Sequence, residues 1–465
     1  MRTPGHMSIA EGSFTMSVPL TPLRGRAFRA GVWAFAGYGA SLVLRLAGTL
    51  VLTRFLAPAM YGVMAIATMV SVVIALLTDI GLSQNLIQSK RGDDPVFLDT
   101  AWTVQIVRGF ILWAVTSGVA VALYLAQRWN LMPAGSVYAS AVLPWVLLGI
   151  ALSSVILGFQ STKTVTASRH FDQRRLMGVE LLSQALALLT MMAIGALTHS
   201  VWTLVVGALT ANVITLACSH LMLPGHSNRL GWDDQSLREI VAFGRWIFVS
   251  SFVGVFALNA DRLILGALIS PAELGQYSIA VTLVAAVSGV FSKLYAAVTM
   301  PVLSETAIRN PENLKEVFYR LRVPSDLVLL FIAGILASCG HRVVDLMYDR
   351  RYADAGLFLQ ILAVSLVWVR YEASQKLFLA LGESRYIAAI NTLRLVSIVV
   401  AIPLGYRLGG LSGAIWGVAL NQVTQAAVVY WFNAQRGLND MRRELVVFLA
   451  FPVGFVLAWL VGQVV

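Results

Sequence analysis

Charge is what this sequence has least of: Asp, Glu, Lys and Arg together make up 12% of 465 residues, while hydrophobic residues make up 58%. Soluble domains carry about 25% charged residues, so no water-facing surface for a globule of this size could be assembled from this chain. Cysteine is nearly absent. Cys218 and Cys339 lie in separate apolar runs, which excludes a disulfide framework. The six histidines show no ligand spacing, and His220 with His226 reads as helix-end packing and loop, so no metal site is expected. Walker-type glycine loops, Ser/His/Asp sets, DxD signatures and CxxC pairs are missing, and the chain is expected to be neither an enzyme nor a cofactor carrier. The opening MRTPGHMSIAEGSFTMSVPL has no apolar core of a signal peptide and is expected to be a cytoplasmic tail, residues 1–29.

What the sequence has in abundance is apolar runs long enough to cross a bilayer, near 30–53, 61–84, 101–126, 137–159, 178–197, 200–223, 243–268, 274–300, 324–346, 356–381, 385–405, 411–432 and 445–465. About thirteen transmembrane helices are therefore expected, in an all-α membrane protein. The net charge of +11 could suggest nucleic acid, but the charges fall between the apolar runs, where topology signals lie. No nucleic-acid partner is expected. With a cytoplasmic N-terminus, alternate connections hold most of the Lys and Arg, among them Arg24, Arg26, Arg169, Arg174, Arg175, Arg320, Arg322, Arg442 and Arg443. An odd number of spans places the C-terminus outside.

A short stretch comes back. LAPAMYGVMAIA (56–67) and ISPAELGQYSIA (269–280) share Pro, Ala, Gly, Ile and Ala at a shift of 213 residues, Pro58 matching Pro271 and Gly62 matching Gly275. Duplication at that distance is a recurring device of secondary transporters. The most polar central connection, PGHSNRLGWDDQSLRE, directly precedes the second copy of span one. Two pseudo-symmetric six-helix lobes around a central cavity are expected, at 30–223 and 243–432, joined by a cytoplasmic linker at 224–242 and followed by a loop and extra helix at 433–465. Residues 305–322 read equally as a surface helix or a solvated loop.

Polar residues inside the spans follow helical spacing. Gly37, Ser41, Arg45 and Gly48 share one face; Thr68, Ser71, Ala75 and Asp79 share another; Asn259, Arg262 and Gly266 a third. Asn391 with Arg394, and Asn421 with Thr424 and Gln425, add two more. Each mid-membrane arginine costs about 2.5–3.5 kcal/mol on insertion scales and calls for an anion. Arg45, Arg370 and Arg394 lie near mid-depth, with Glu372 the one carboxylate at comparable depth. Asp79 and Asp261 are candidate partners of Arg45 or Arg262 across helices. Arg45, Arg262, Arg370 and Arg394 are the candidate anion-binding residues, Asn259, Asn391, Asn421 and Gln425 further candidate substrate-binding residues, and Asp79, Asp261 and Glu372 the candidate coupling groups or charge partners. Clamping of helices through arginine contacts to backbone carbonyls is the structural alternative for each arginine.

The segments LTRFLAPAMYGVMAIA and LLTDIGLSQNLIQ resemble the opening helix pair of the polysaccharide transporter family, the Wzx-type flippases of the multidrug/oligosaccharidyl-lipid/polysaccharide exporter superfamily. FGRWIFVSSFVGVFALNADRLILGALISPAELGQYSIA is similar to that family's seventh and eighth helices, with its N-x-D-R stretch at Asn259, Asp261 and Arg262. The resemblance implies a bacterial inner-membrane flippase that carries a polyprenyl-pyrophosphate-linked repeat unit, such as one for exopolysaccharide or O-antigen, to the periplasmic leaflet by alternating access. It implies a lipid-linked glycan and membrane lipids as partners, with a polysaccharide polymerase and export machinery beyond. A multidrug-type cation antiporter of the same superfamily is the first alternative and a membrane polymerase or ligase of lipid-linked sugars the second. Coupling to protons, to sodium or to neither stays open.

Overall fold

The computed structural model describes residues 20–79 and 81–464. Residues 1–19 of the expected tail lie outside them, and residues 20–29 open the first helix. Among the described residues there is no strand. The helices are α1 (Leu20–Phe55), α2 (Pro58–Leu77), α3 (Leu82–Gln88), α4 (Pro95–Arg128), α5 (Leu143–Gly158), α6 (Lys163–Arg169), α7 (Gln173–Thr198), α8 (Trp202–Leu221), α9 (Asp234–Leu268), α10 (Pro271–Leu294), α11 (Met300–Arg309), α12 (Leu314–Met347), α13 (Asp354–Ala363), α14 (Leu366–Val369), α15 (Glu372–Ala380), α16 (Ser384–Gln435), α17 (Met441–Phe448) and α18 (Ala450–Val464).

This is a multi-pass membrane protein. Among the described residues, ten helical stretches are long and apolar enough to cross a bilayer, or eleven if α5 and α6, bent by 65°, form one span. The count differs from the thirteen expected partly because α16 holds two expected spans, 385–405 and 411–432, in one stretch folded back on itself. Its direction reverses at Gly409 and at Gly410, where φ is +59°, and the two arms meet through Gly405, Gly413 and Gly417. Small residues let backbones approach closely in lipid, where no hydrophobic force drives helices together. The 305–322 segment is helical: α11 ends at Arg309 and α12 begins at Leu314.

The repeated stretches pack on each other. α2 and α10 cross where a Cβ on Gly62 would sit 2.8 Å from the Pro271 carbonyl carbon, and a Cβ on Gly275 would sit 2.6 Å from that of Pro58. The contact is reciprocal, as a pseudo-twofold relation requires. Each proline occupies the first helical turn, where its missing N–H costs nothing. Ser270 completes a capping box with Glu273 at the start of α10. Around this crossing, the Arg351 guanidinium donates to the carbonyls of Thr53 (3.1 Å) and Arg54 (3.0 Å), and the Tyr352 hydroxyl donates to Leu56 O at 2.8 Å. These contacts tie the ends of α1, α2, α10 and the segment before α13 together at that end of the bundle.

At the opposite end the connection after α8 is strapped to α4. Asp99 Oδ1 accepts from Arg229 N at 2.9 Å and lies 2.9 Å from His226 Nε2, while Thr103 Oγ1 and Thr100 Oγ1 each accept at 3.1 Å from Gly231 N and Asp233 N. Asn228 Oδ1 accepts from Ser161 Oγ and Thr162 N. Asp233 then caps α9 by accepting from Ser236 N at 2.9 Å, and those Ser236 hydrogen bonds hold its carboxyl below the usual range.

Candidate anion-binding cavity

Arg45, Gly48, Thr49 and Leu52 follow i, i+3, i+4, i+7 on α1 and together face a cavity of about 560 Å³. Its other walls come from α2 (Tyr61, Met64, Thr68, Met69), α7 (Gln184, Leu188), α8 (Leu204, Gly207), α9 (Arg262) and α10 (Ser278, Thr282). Gly48 matters here because a Cβ there would stand 2.9 Å from Leu188. Two guanidiniums, five hydroxyls and one amide face the space, and among the described residues no carboxylate lines it.

Arg262 has less company than an arginine demands. Its Nη1 lies 3.4 Å from Met69 Sδ, and its Nε is buried without a hydrogen-bond partner. An unpaired buried cationic donor is costly, and an anion entering the cavity would relieve it. Arg45 is exposed to the cavity. Of the four expected arginines, these two are brought together.

Arg394 sits behind them on α16. Asp261, Glu372 and Tyr277 are the groups that act on it electrostatically, yet no carboxylate among the described residues lies within ion-pair distance, and its Nε is buried and unpartnered. The two acids have hydroxyl donors of their own: Tyr277 Oη donates to Asp261 at 2.6 Å and Ser292 Oγ to Glu372 at 2.5 Å. A loose ring of one cation and two anions therefore adjoins the cavity.

Arg370 corrects the expectation of an anion site. It is buried, and its guanidinium is already neutralised by Glu444 of α17, which also takes Arg322 Nη1 at 2.7 Å; Arg322 Nε lies 2.8 Å from Asp326. Tyr319 Oη donates to Glu444 and Tyr295 Oη to Asp326. The π-helical turn Tyr295–Thr299 carries Tyr295. Two arginines meet two carboxylates in this cluster, so Arg370 has an anion other than Glu372. The helix break between α14 and α15 sends Arg370 to Glu444 and Glu372 to Ser292, on different sides as their two-residue spacing requires.

Asp79 is a second correction. It pairs with Arg108 at 3.7 Å and not with Arg45 or Arg262, while Arg108 also donates to the carbonyls of Thr78 and Ala75. Packing decides this: Asp79 follows the end of α2, beside which α4 lies. The expected amides are absent from the cavity lining. Asn421 is buried and accepts from Ser397, Gln425 is buried with Nε2 unpartnered, and Asn391 faces α9 near Gly254; Asn259 is half-buried on α9. Gln184, Tyr61, Ser278 and Thr282 line the cavity without having been singled out. The i, i+4 pair Glu180 and Gln184, which bonds Ser41 across the helices, was the available signal for the first.

Comparison with known proteins places this geometry. The family model described as "Polysaccharide biosynthesis protein" matches residues 51–357. No curated protein matches significantly in sequence. Among solved structures, the lipid II flippase MurJ in an inward closed conformation superposes with a TM-score of 0.69 at 10% identity, covering 92% of each chain. An inward-facing multidrug resistance MATE transporter gives 0.60 at 13% identity, covering 86% of this chain and 94% of the other. A transporter of the same superfamily from Pyrococcus furiosus, described as having a binding pocket of reverse polarity, gives 0.60 at 15% identity, covering 90% of this chain and 97% of the other. These likenesses establish an all-helical transporter fold.

Proposed function

Because this chain belongs to the polysaccharide biosynthesis protein family, we propose that it is a flippase, moving a polyprenyl-pyrophosphate-linked oligosaccharide between the leaflets of a bacterial inner membrane. The observation that carries the reading is the pairing of Arg45 and Arg262 in a cavity whose described lining holds no carboxylate. A diphosphate is the natural counter-ion: guanidinium forks match phosphate oxygens bidentately. The hydroxyls of Thr49, Thr68, Ser278 and Thr282 and the Gln184 amide suit the neutral sugars, and the polyprenyl tail can remain in lipid. A cavity built for organic cations would want acidic lining, so the antiporter reading is the weaker one. The neighbour named a lipid II flippase handles a lipid-linked glycan, which supports the same class here.

In this reading residues 30–223 and 243–432 are the two lobes, the N-terminus is cytoplasmic, the α2/α10 crossing lies on the periplasmic side, and the cavity is closed outward. Arg394, with Asp261 and Glu372, forms the group through which occupancy of the cavity is felt by α16. The flipped unit passes to a polymerase and export machinery.

The test is transbilayer movement of a labelled polyprenyl-diphosphate glycan in proteoliposomes, read by protection from an impermeant reagent. Replacing both Arg45 and Arg262 by Gln removes two charge-assisted contacts and is expected to slow movement at least about thirtyfold with protein content unchanged. Wild-type movement by the double variant would remove the proposed site.

A further inference from the structure

A second depression, about 620 Å³, lies away from the cavity, between the start of α12 and α17. Tyr319, Val323, Pro324, Val446 and Val447 form its apolar part, and Arg320, Arg442 and Arg443 stand beside Glu316 and Asp440 in its polar part. The two carboxylates are spoken for. Arg443 Nη2 lies 2.8 Å from Glu316 and its Nε 3.2 Å from Asp440. Arg320 and Arg442 are exposed, and among the described residues neither joins an ion pair. The groove therefore presents two uncommitted guanidiniums above an apolar floor.

Its depth follows from its neighbours. α17 runs into α18 as one stretch apolar enough to span a membrane, and Leu445, Val446 and Leu449 on it are 61%, 58% and 60% exposed. Side chains of that kind face acyl chains, so the arginines above them stand at the level of phosphate headgroups. We propose that this groove binds an anionic glycerophospholipid of the surrounding bilayer, its phosphate between Arg320 and Arg442 and the start of an acyl chain over Val323, Pro324 and Val446. A free phosphate would use the guanidiniums and ignore the floor. Opposite the groove, Glu444 of the same short helix bridges Arg322 and Arg370, so a bound lipid clasps α17 against α12 and supports that buried cluster. The inference is independent of the flippase reading.

The experiment is native mass spectrometry and thermal melting of the purified full chain, with added phosphatidylglycerol, phosphatidylcholine or inorganic phosphate. Wild-type protein is expected to retain phosphatidylglycerol and melt higher with it, and to respond to neither of the others. The Arg320→Gln/Arg442→Gln variant is expected to bind phosphatidylglycerol roughly tenfold to thirtyfold more weakly, while Arg320→Lys/Arg442→Lys retains most of the preference, since each cation near an anionic surface contributes comparably. Both residues are exposed, so the Gln variant folds. Equal responses of wild type and Gln variant to phosphatidylglycerol, or an equal response of wild type to inorganic phosphate, would overturn the proposal.

Discussion

Gly62 offers the sharpest perturbation, because it is one half of the contact the repeat makes with itself. Alanine there places a methyl 2.8 Å from the Pro271 carbonyl carbon, where ordinary van der Waals contact begins near 3.4 Å. The obstacle is backbone, which cannot swing aside as a side chain can. The carbonyl oxygen is closer still, so α2 and α10 must separate by roughly 1.5 Å, and overpacking of this kind costs about 1–3 kcal/mol. That cost falls only on the conformation in which the two helices touch. A shift of about fivefold to 150-fold away from that conformation follows, at a tenfold change per 1.4 kcal/mol. Spin labels at the exposed positions Arg54 and Ala272 report it as loss of the short-distance population by pulsed electron resonance. Gly275→Ala should do the same, since its methyl meets Pro58 in the mirror-image contact. The double variant should add little, because one separation relieves both clashes. Unchanged distance distributions in Gly62→Ala, with unchanged glycan movement, would refute the assignment of this crossing as a gate.

Three further outcomes are expected. Glu444→Gln leaves Arg322 and Arg370 without their shared anion, and breaking a buried pair costs about 3–5 kcal/mol, so the melting temperature in detergent should fall; Arg370→Ala should also act through stability and not through substrate binding. Arg351→Ala removes two hydrogen bonds to the end of α1, about 1 kcal/mol each, and should speed amide exchange around Leu56 without affecting the strapped linker. The Asp233 carboxyl titrates below its unfolded value, so its cap stabilises α9 above that value and is lost as pH falls through the lower folded one. Exchange of the Ser236 amide should therefore accelerate below roughly pH 4, and Asp233→Asn should abolish that acid dependence.

The pieces legible in the sequence were those fixed by local spacing. The Pro-Ala-x-x-Gly repeat gave the α2/α10 crossing its two glycines, and the helical spacing on α1 put Arg45 beside Gly48 on one wall. The boundary between 385–405 and 411–432 fell where Gly409 and Gly410 turn the chain back. What escaped was set by long-range packing. Glu444 stood at the edge of an apolar run, 74 residues from Arg370, and nothing in its neighbourhood marks it as buried. Arg322 was read as a topology charge in a loop, yet it is 1% exposed because α12 begins eight residues before it. Asp79 was read as a partner for Arg45 or Arg262, and only the placement of α4 supplies Arg108 instead. Amides such as Asn421 and Gln425 carry no sequence signal that separates a ligand wall from a helix interface.

The strap along α4 gives α9 a fixed footing. Its 35 residues rise about 1.5 Å each, making a rod roughly 52 Å long whose lower end is tied through residues 226–233 and whose upper end, at Leu268, adjoins Pro271. A rod pinned in that way behaves as a lever with its fulcrum at Asp233: a tilt of about 10° carries Leu268 some ~9 Å, close to the width of a whole helix. Modest leverage at the foot therefore suffices to part Gly62 from Pro271.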